Sequence, residues 1–406
     1  MKTIDRRYDL DWLRVIAIIL VLYFHTAMIF AEGSDWHIKN DQLSSIWTEF
    51  NFWLTKFRMP LLFFISGVGS YFALRKRKGG QYLKERHNRL VIPLIFAMFF
   101  VVPPQIYMER IFNGASYTSF LDFYPSTFNM IPYPEGNLSW HHMWFVLYLF
   151  VYSAVALPAF LFLRSEKGAK LMDKIKWLSD SANIYWIALP TMIIYLTLVQ
   201  WFPRTNDLIH DWGYLAYWFT FFFAGYLVAC QKGLWESIER NRRRSLQLAI
   251  ACIVFINFFR WNQIEPWNSD LTWMNNEFSI HAFLAFIPID GWFWLLALLG
   301  YAKKYLNKST PWLSYANEGI YPFYILHQTI IIVLGYYIIQ VQESVFAKYL
   351  FISTLSLVGS VAIYEFLIRP YKVMRFLFGM KASSINRLRK KIDYTNIENR
   401  GEFKAA

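Results

Sequence analysis

The stretch from Asp9 to Phe30, DLDWLRVIAIILVLYFHTAMIF, is long and apolar enough to cross a bilayer, yet it carries Arg14 and His25 inside it. An arginine held within the hydrocarbon costs about 3 kcal/mol on insertion scales, so such a group faces a protein interior or water. At 1.5 Å of rise per residue, the two side chains lie roughly 16 Å apart along the axis and on nearly the same face. One helix thus offers a guanidinium near one membrane surface and an imidazole toward the other. The plainer reading is that Arg14, about one turn in, snorkels to the headgroups, and that His25 is a neutral histidine hydrogen-bonded between helices.

The rest of the chain sets the class. Of its 406 residues, 56% are hydrophobic and only 17% charged, and the apolar residues come in long blocks rather than in an amphipathic pattern. That composition predicts an all-α, polytopic integral membrane protein. Ten apolar spans are expected, near 10 to 32, 51 to 74, 90 to 109, 143 to 163, 184 to 202, 212 to 231, 246 to 264, 281 to 302, 318 to 340 and 345 to 368. The first run is too long for the core of a cleavable signal peptide, so it is expected to remain as the first span. Residues 8–381 form the membrane domain, and residues 382–406 read as a polar cytoplasmic tail. Cys230 and Cys252 fall in apolar segments with neither metal-ligand spacing nor a disulfide framework.

The net charge of +13 is distributed by loop. Lysines and arginines crowd the N-terminus (Arg6, Arg7), the segment from Arg75 to Arg89, Arg164 to Lys176, Lys232 to Arg244, Lys303 to Lys308 and the region after Arg369, while the intervening loops are nearly free of them. Such alternation predicts ten spans with both termini in the cytoplasm. It assigns the basic residues to topology and lipid contact and excludes nucleic-acid binding as their purpose.

This orientation gives each buried charge a depth. Arg14 and Glu365 lie at the cytoplasmic level, Asp290 and His327 near the middle, and His25, Lys56 and Arg58 in the outer half. Three pairings are expected on depth alone: Arg14 with Glu365, Asp290 with His327, and His25 with the neighbourhood of Arg58. Glu365 and Asp290 are thereby read as members of structural ion pairs. Arg86 and Arg89, three residues apart in ERHNRLVIP, would point the same way from a helical turn and could hold phosphate, although arginines are common at cytoplasmic helix ends. His141 and His142 precede the fourth span at the outer interface, and Ser66 is read as a small packing residue before a nucleophile.

These residues resemble the membrane acyltransferase 3 family. DLDWLRVIAIILVLYFH matches its opening signature, and FRMPLLFFISG (Phe57 to Gly67), the Arg86 and Arg89 pair, HMWFVLYL (His142 to Leu149) and IYPFYILH (Ile320 to His327) resemble further blocks in order. DWHI (Asp35 to Ile38) and YEFLIRPYKVMRFLFGMK (Tyr364 to Lys381) are most similar to its glucans biosynthesis group.

The resemblance implies an O-acyltransferase that takes an acyl group, succinyl or acetyl, from a cytoplasmic acyl-coenzyme A to a hydroxyl of a periplasmic or cell-surface carbohydrate, with the protein in a bacterial inner membrane. It implies His25 as catalytic and Arg14 as essential, associates Arg86 and Arg89 with the donor, and brings Arg58 as a common accompaniment; Arg58 is read with His25 and Arg14 as catalytic, and Trp36, His37, His142 and His327 as substrate-binding. Acyl-coenzyme A would be a substrate rather than a bound cofactor, and no metal is expected. Direct transfer and a covalent acyl-enzyme both remain open, as does the oligomeric state.

Acyl transfer to an alcohol needs a base for the hydroxyl proton and positive charge for the oxyanion. His25 supplies the first and Arg58 the second on this reading. A secondary transporter or flippase also suits ten spans with intramembrane charges, but it would favour repeated half-structures and interrupted helices in matching positions, neither of which is visible. The other membrane O-acyltransferase superfamily places its histidine differently, and a passive scaffold gives no reason for so many ionisable residues inside spans.

Overall fold

The computed structural model describes residues 6–33, 35–268 and 274–381. The polar tail expected at 382–406 lies outside the described residues. Long apolar runs fold as helices because hydrocarbon offers the backbone no hydrogen-bond partner, so each N–H and C=O must be satisfied within its own segment. In chain order the helical segments that matter here are α1 (Tyr8–Met28), α2 (Ser45–Leu74), α3 (Gly79–Phe112), α4 (His141–Val155, continued after a 49° bend by Leu157–Leu163), α5 (Asn183–Val199), α6 (Trp212–Cys230), α7 (Arg242–Asn262), α8 (Glu277–Tyr305), α9 (Pro311–Ile338) and α10 (Val345–Ile368). Among the described residues there is no strand, only an isolated bridge between Pro132 and Leu138. The chain is an all-α, multi-pass membrane protein.

Eight of these segments are long and apolar enough to span a membrane, nine if the bent α4 is one span. The expected fifth span, 184 to 202, is shorter than anticipated. Its 17 residues mix 3-10, α and π turns, and at 1.5 Å per residue they reach about 25 Å, short of a 30 Å hydrocarbon core.

Local chemistry sets several helix starts. Thr310 accepts from the Leu313 N–H with Pro311 in the first turn of α9, and Ser344 accepts from the Ala347 N–H at the start of α10. The end of α1 is closed by a lysine instead: Lys39 donates to the carbonyls of Met28 (2.8 Å) and Ala31 (2.6 Å), placing a cation on the negative end of the helix. With Asn40 N–H on Ile29 O and Ser44 N–H on Phe30 O, it folds residues 35–44 back onto the bundle.

The basic loops meet at one end. Arg7 lies 3.9 Å over the Trp235 ring, Lys303 pairs with Glu239, Arg240 donates to Ser179 O and Arg375 pairs with Glu318. The opposite end is tied by Arg260 to Glu49, Arg110 to Pro134 O and Gly136 O, and Trp140 to Asn206 O. Exposed Val254, Phe258 and Trp261 on α7 and Phe346, Phe351 and Val358 on α10 give these helices a lipid-facing side. At the centre α2 is buried over most of its length, and it crosses α6 where Gly67 and Gly225 let the two backbones touch.

Candidate active site

Helix α1 turns His25 toward α9, where His25 Nδ1 meets His327 Nε2 at 2.9 Å with the rings only 9° from parallel. His327 Nδ1 lies 2.5 Å from its own helix's Tyr324 carbonyl. The expected partner of His327, Asp290, is elsewhere. Its carboxylate faces Lys56 at 3.9 Å, both side chains almost wholly buried. The expected pairing on shared depth does not form: α8 presents Asp290 to Lys56 of α2, and His327 of α9 goes to His25. Pro60 has no N–H to bond back along α2, and α8 approaches Lys56 O through Gly291.

The folded-back loop covers His25. Trp36 stacks on its ring at 5.3 Å, and Trp36 in turn packs edge-on against His37 at 4.7 Å. His37 bonds Glu109 of α3 through Nδ1, while its Nε2 lies 3.2 Å from the Gln328 amide nitrogen. Tyr133 donates to the other Glu109 oxygen at 2.7 Å. Burial first, and this hydrogen bond next, push the Tyr133 phenol up, which keeps it a donor. His141 packs against both His37 and Tyr133. His142 donates from Nε2 to Ile325 O at 3.1 Å and receives the Tyr324 hydroxyl on its carbonyl at 2.5 Å.

Arg58 completes this chamber from α2. Its guanidinium carbon lies over the ring of Phe24, the residue before His25, 3.4 Å from the ring centre, while its Nε and Nη1 are buried without a hydrogen bond. The expected neighbourhood of His25 and Arg58 is therefore assembled, through the intervening ring.

At the basic end Arg14 does not pair with Glu365. It donates to Asp11 at 3.0 Å, one turn back on α1, and to Asn317 of α9 at 2.6 Å. Glu365 is taken by Arg369, four residues on at 2.6 Å, and by Tyr315. Counting residues fixed the level of both groups but not the side each faces. Arg86 and Arg89 also diverge. A π turn at His87–Val91 adds a residue to the helical circuit between them, so Arg86 donates to Ser70 of α2 and Arg89 to Gly379 O. Ser66 returns its hydroxyl to Leu62 O at 2.8 Å, in keeping with a packing role.

The buried polar atoms that make no hydrogen bond among the described residues include Arg14 Nε and Asn317 Nδ2 at the basic end, Tyr321 Oη on α9, and Arg58 Nε and Nη1 and His142 Nδ1 beside the histidine pair; others lie elsewhere in the bundle, on Asn51, Trp218, Ser356 and Tyr364 among them. Asn317, Tyr321, Tyr324 and His327 recur at helical spacing on one face of α9, and from Asn317 to His327 that face climbs about 15 Å. The surface clefts lie elsewhere. One is lined by Glu49, Arg260 and Trp261, the other by Arg75, Arg164 and Lys176.

Sequence reasoning missed Glu109, Tyr133, Gln328, Asn317 and Tyr321. The α9 spacing was available as a signal. Glu109 was available only as an acid inside the third span, and Tyr133 carried none. His37, Glu109 and His141 offer ligand atoms within 4.8 Å of one another, a set that could hold a metal ion and that no spacing announced. In this fold, however, hydrogen bonding already accounts for His37 and Glu109: Nδ1 of His37 faces Glu109, Nε2 faces Gln328, and the second Glu109 oxygen serves Tyr133.

A family model described as an acyltransferase domain matches residues 7–365. Among curated proteins, the glucans biosynthesis protein C of Escherichia coli strain K12 is 24% identical over 391 residues, spanning 93% of this chain and 95% of that protein. The protein of the same name from Shigella dysenteriae serotype 1 is 23% identical over 390 residues, with the same coverage. No solved structure matches.

Proposed function

Since the chain belongs to the acyltransferase domain family and is a membrane acyltransferase, we propose that it carries an acyl group from a cytoplasmic acyl-coenzyme A to a hydroxyl of a carbohydrate at the outer face of a bacterial inner membrane. The relatives named for glucan biosynthesis make a periplasmic glucan the first acceptor to test, with succinyl or acetyl as the group transferred.

The observation that carries the reading is the buried His25–His327 pair with the unbonded Nε and Nη1 of Arg58 over the adjoining Phe24, and further unbonded polar atoms on Arg14, Asn317 and Tyr321 toward the basic end. Folded proteins leave few buried polar groups without partners, because each costs about 1–3 kcal/mol. A polar thread laid along α9 would supply those partners. The pantetheine arm of coenzyme A is such a thread, rich in amide groups and terminating in the thioester. Its phosphates would stay at the basic end with Arg89 and Arg14, and its carbonyl would arrive beneath His25 and Arg58.

At that point His25 takes the proton of the acceptor hydroxyl as its oxygen bonds to the thioester carbon, and the unbonded nitrogens of Arg58 face the negative charge that develops on the carbonyl oxygen. The carbon–sulfur bond then breaks and the thiolate recovers the proton. Trp36, with the Glu109, His37 and Tyr133 group above it, offers the flat aromatic surface and paired polar atoms that a sugar ring requires.

The direct test is the purified protein in nanodiscs with labelled succinyl- or acetyl-coenzyme A and a glucan extract. Label in the glucan, with one free coenzyme A released per acyl group, is the expected result. Solute counterflow without modification would instead support a transporter. A second expectation concerns the donor: Arg89→Gln raises the acyl-coenzyme A KM about tenfold, the equivalent of one charge-assisted bond of roughly 1.4 kcal/mol, with kcat little changed. Equal donor KM in the variant and the parent would return Arg89 to topology.

A further inference from the structure

The tautomer of His25 is set by contacts already described. A backbone carbonyl can only accept a hydrogen bond, so the 2.5 Å contact of His327 Nδ1 with Tyr324 O puts a proton on that nitrogen. In a neutral ring the other nitrogen, Nε2, must then be an acceptor. It lies 2.9 Å from His25 Nδ1, so His25 is the donor of that bond and carries its own proton on Nδ1. The lone pair of His25 is left on Nε2. The titratable and charged groups facing the pair are Arg58 from α2, His37 from the loop after α1, His142 from α4 and Tyr324 from α9. None is a carboxylate, so neither ring has an anion beside it to hold a second proton.

We infer that His327 is a positioning residue that acts through His25, locking it in the Nδ1–H tautomer and aiming Nε2 at the acceptor hydroxyl. This rests on the reading of His25 as the base. It replaces the substrate-binding role that the sequence suggested for His327, whose two ring nitrogens are both engaged within the protein. The packing makes the lock rigid. Trp36 covers one side of the His25 ring, Phe24 meets it edge-on at 5.5 Å, and the Tyr324 hydroxyl pins the carbonyl-bearing turn of α9 to α4.

When His25 takes the hydroxyl proton on Nε2 it becomes a cation, and the bond from its Nδ1–H to His327 strengthens as a charge-assisted one. When the proton passes to the departing thiolate, the pair returns to its starting state. His327 gains and loses nothing in the cycle. It serves His25 as the third member of a hydrolytic triad serves its histidine, with a neutral ring and a carbonyl in place of a carboxylate.

The test compares His327→Ala and His327→Gln with the parent in the full-length protein, after gel filtration confirms equal folding. His327→Ala lowers kcat about 10²-fold with both substrate KM values within about threefold. His327→Gln, whose amide oxygen can accept from His25 while its nitrogen donates to the Tyr324 carbonyl, recovers at least a tenth of the parent kcat. Loss confined to the acceptor KM, unchanged kcat in the alanine variant, or no recovery by glutamine would overturn the inference. If neither variant folds, 15N NMR of histidine-labelled parent protein decides: His25 protonated on Nδ1 supports the lock, and His25 protonated on Nε2 overturns it. Full activity in His25→Ala would remove the base and this inference together, whereas an inactive His25→Ala beside a fully active His327→Ala would remove this inference alone.

Discussion

Replacing His25 with alanine is expected to reduce acyl transfer about 10³-fold or more at saturating donor and acceptor, while leaving acyl-coenzyme A binding unchanged. The separation follows from the architecture. His25 sits about 16 Å along α1 from Arg14, so the phosphate end of the donor would be held by groups that the substitution never touches. The size follows from the surroundings. Trp36 stacks on the ring and His327 bonds it, so the substitution removes a proton acceptor with no other unengaged base on α1 to replace it, and water held against Trp36 and Phe24 is a poor substitute. His25→Asn, which keeps a donor toward His327 but has no proton-accepting nitrogen, should be as inactive as alanine. Turnover by acyl release, alongside donor affinity by calorimetry, checks both halves. A variant turning over at near the parent rate would sink the assignment of His25, and a large loss of donor affinity would show that α1 is positioned as a unit with the donor site.

How far this could be read from the chain divides along a physical line. The helical class was legible from the long apolar runs, and counting residues at 1.5 Å each set Arg14 far from His25 along α1, but residues read at different depths meet: His327, placed midway, touches His25, placed in the outer half, and Asp290, placed midway, faces Lys56. Azimuth is not a matter of counting. Arg14 and Glu365 share a level, yet Asp11 and Asn317 reach Arg14 while Arg369 claims Glu365. The π turn between Arg86 and Arg89 rotates one away from the other by an amount that no period of 3.6 anticipates. The outer chamber was least legible because it is built from three separate connections. Trp36 and His37 arrive on the loop that Lys39 pins to the end of α1, Tyr133 on the long segment between α3 and α4, and His141 at the start of α4. A resemblance to a family names His37 and Trp36, but only the fold shows that Glu109 orients the one and that the other lies on His25.

The largest effect on folding is expected at Gly67. In lipid, helices gain little from burying apolar surface against each other, so close contact and hydrogen bonds must hold the bundle, and small residues are what permit that contact. A methyl group at Gly67 would stand 1.9 Å from the Phe222 carbonyl oxygen of α6, and one at Gly225 would stand 2.1 Å from the Phe64 carbonyl oxygen of α2. Each glycine thus makes room for the other helix's backbone, and a carbonyl cannot swing aside as a side chain can. Gly67→Ala must push α2 and α6 apart, at a cost of about 3 kcal/mol or more. The separation would also loosen Phe63 from Trp218 and Tyr152, and with them the far wall of the segment that carries Arg58. Two residues along the same helix, Gly69 has no atom within 4 Å of the corresponding position. Gly69→Ala should be neutral or stabilising by about 0.5–1 kcal/mol, since alanine is the better helix former. The thermal unfolding midpoint of the two variants in the same detergent tests the claim through its sign: Gly67→Ala falls well below the parent or fails to accumulate, while Gly69→Ala equals or exceeds it. Equal midpoints for both would mean that α2 and α6 do not touch at this crossing.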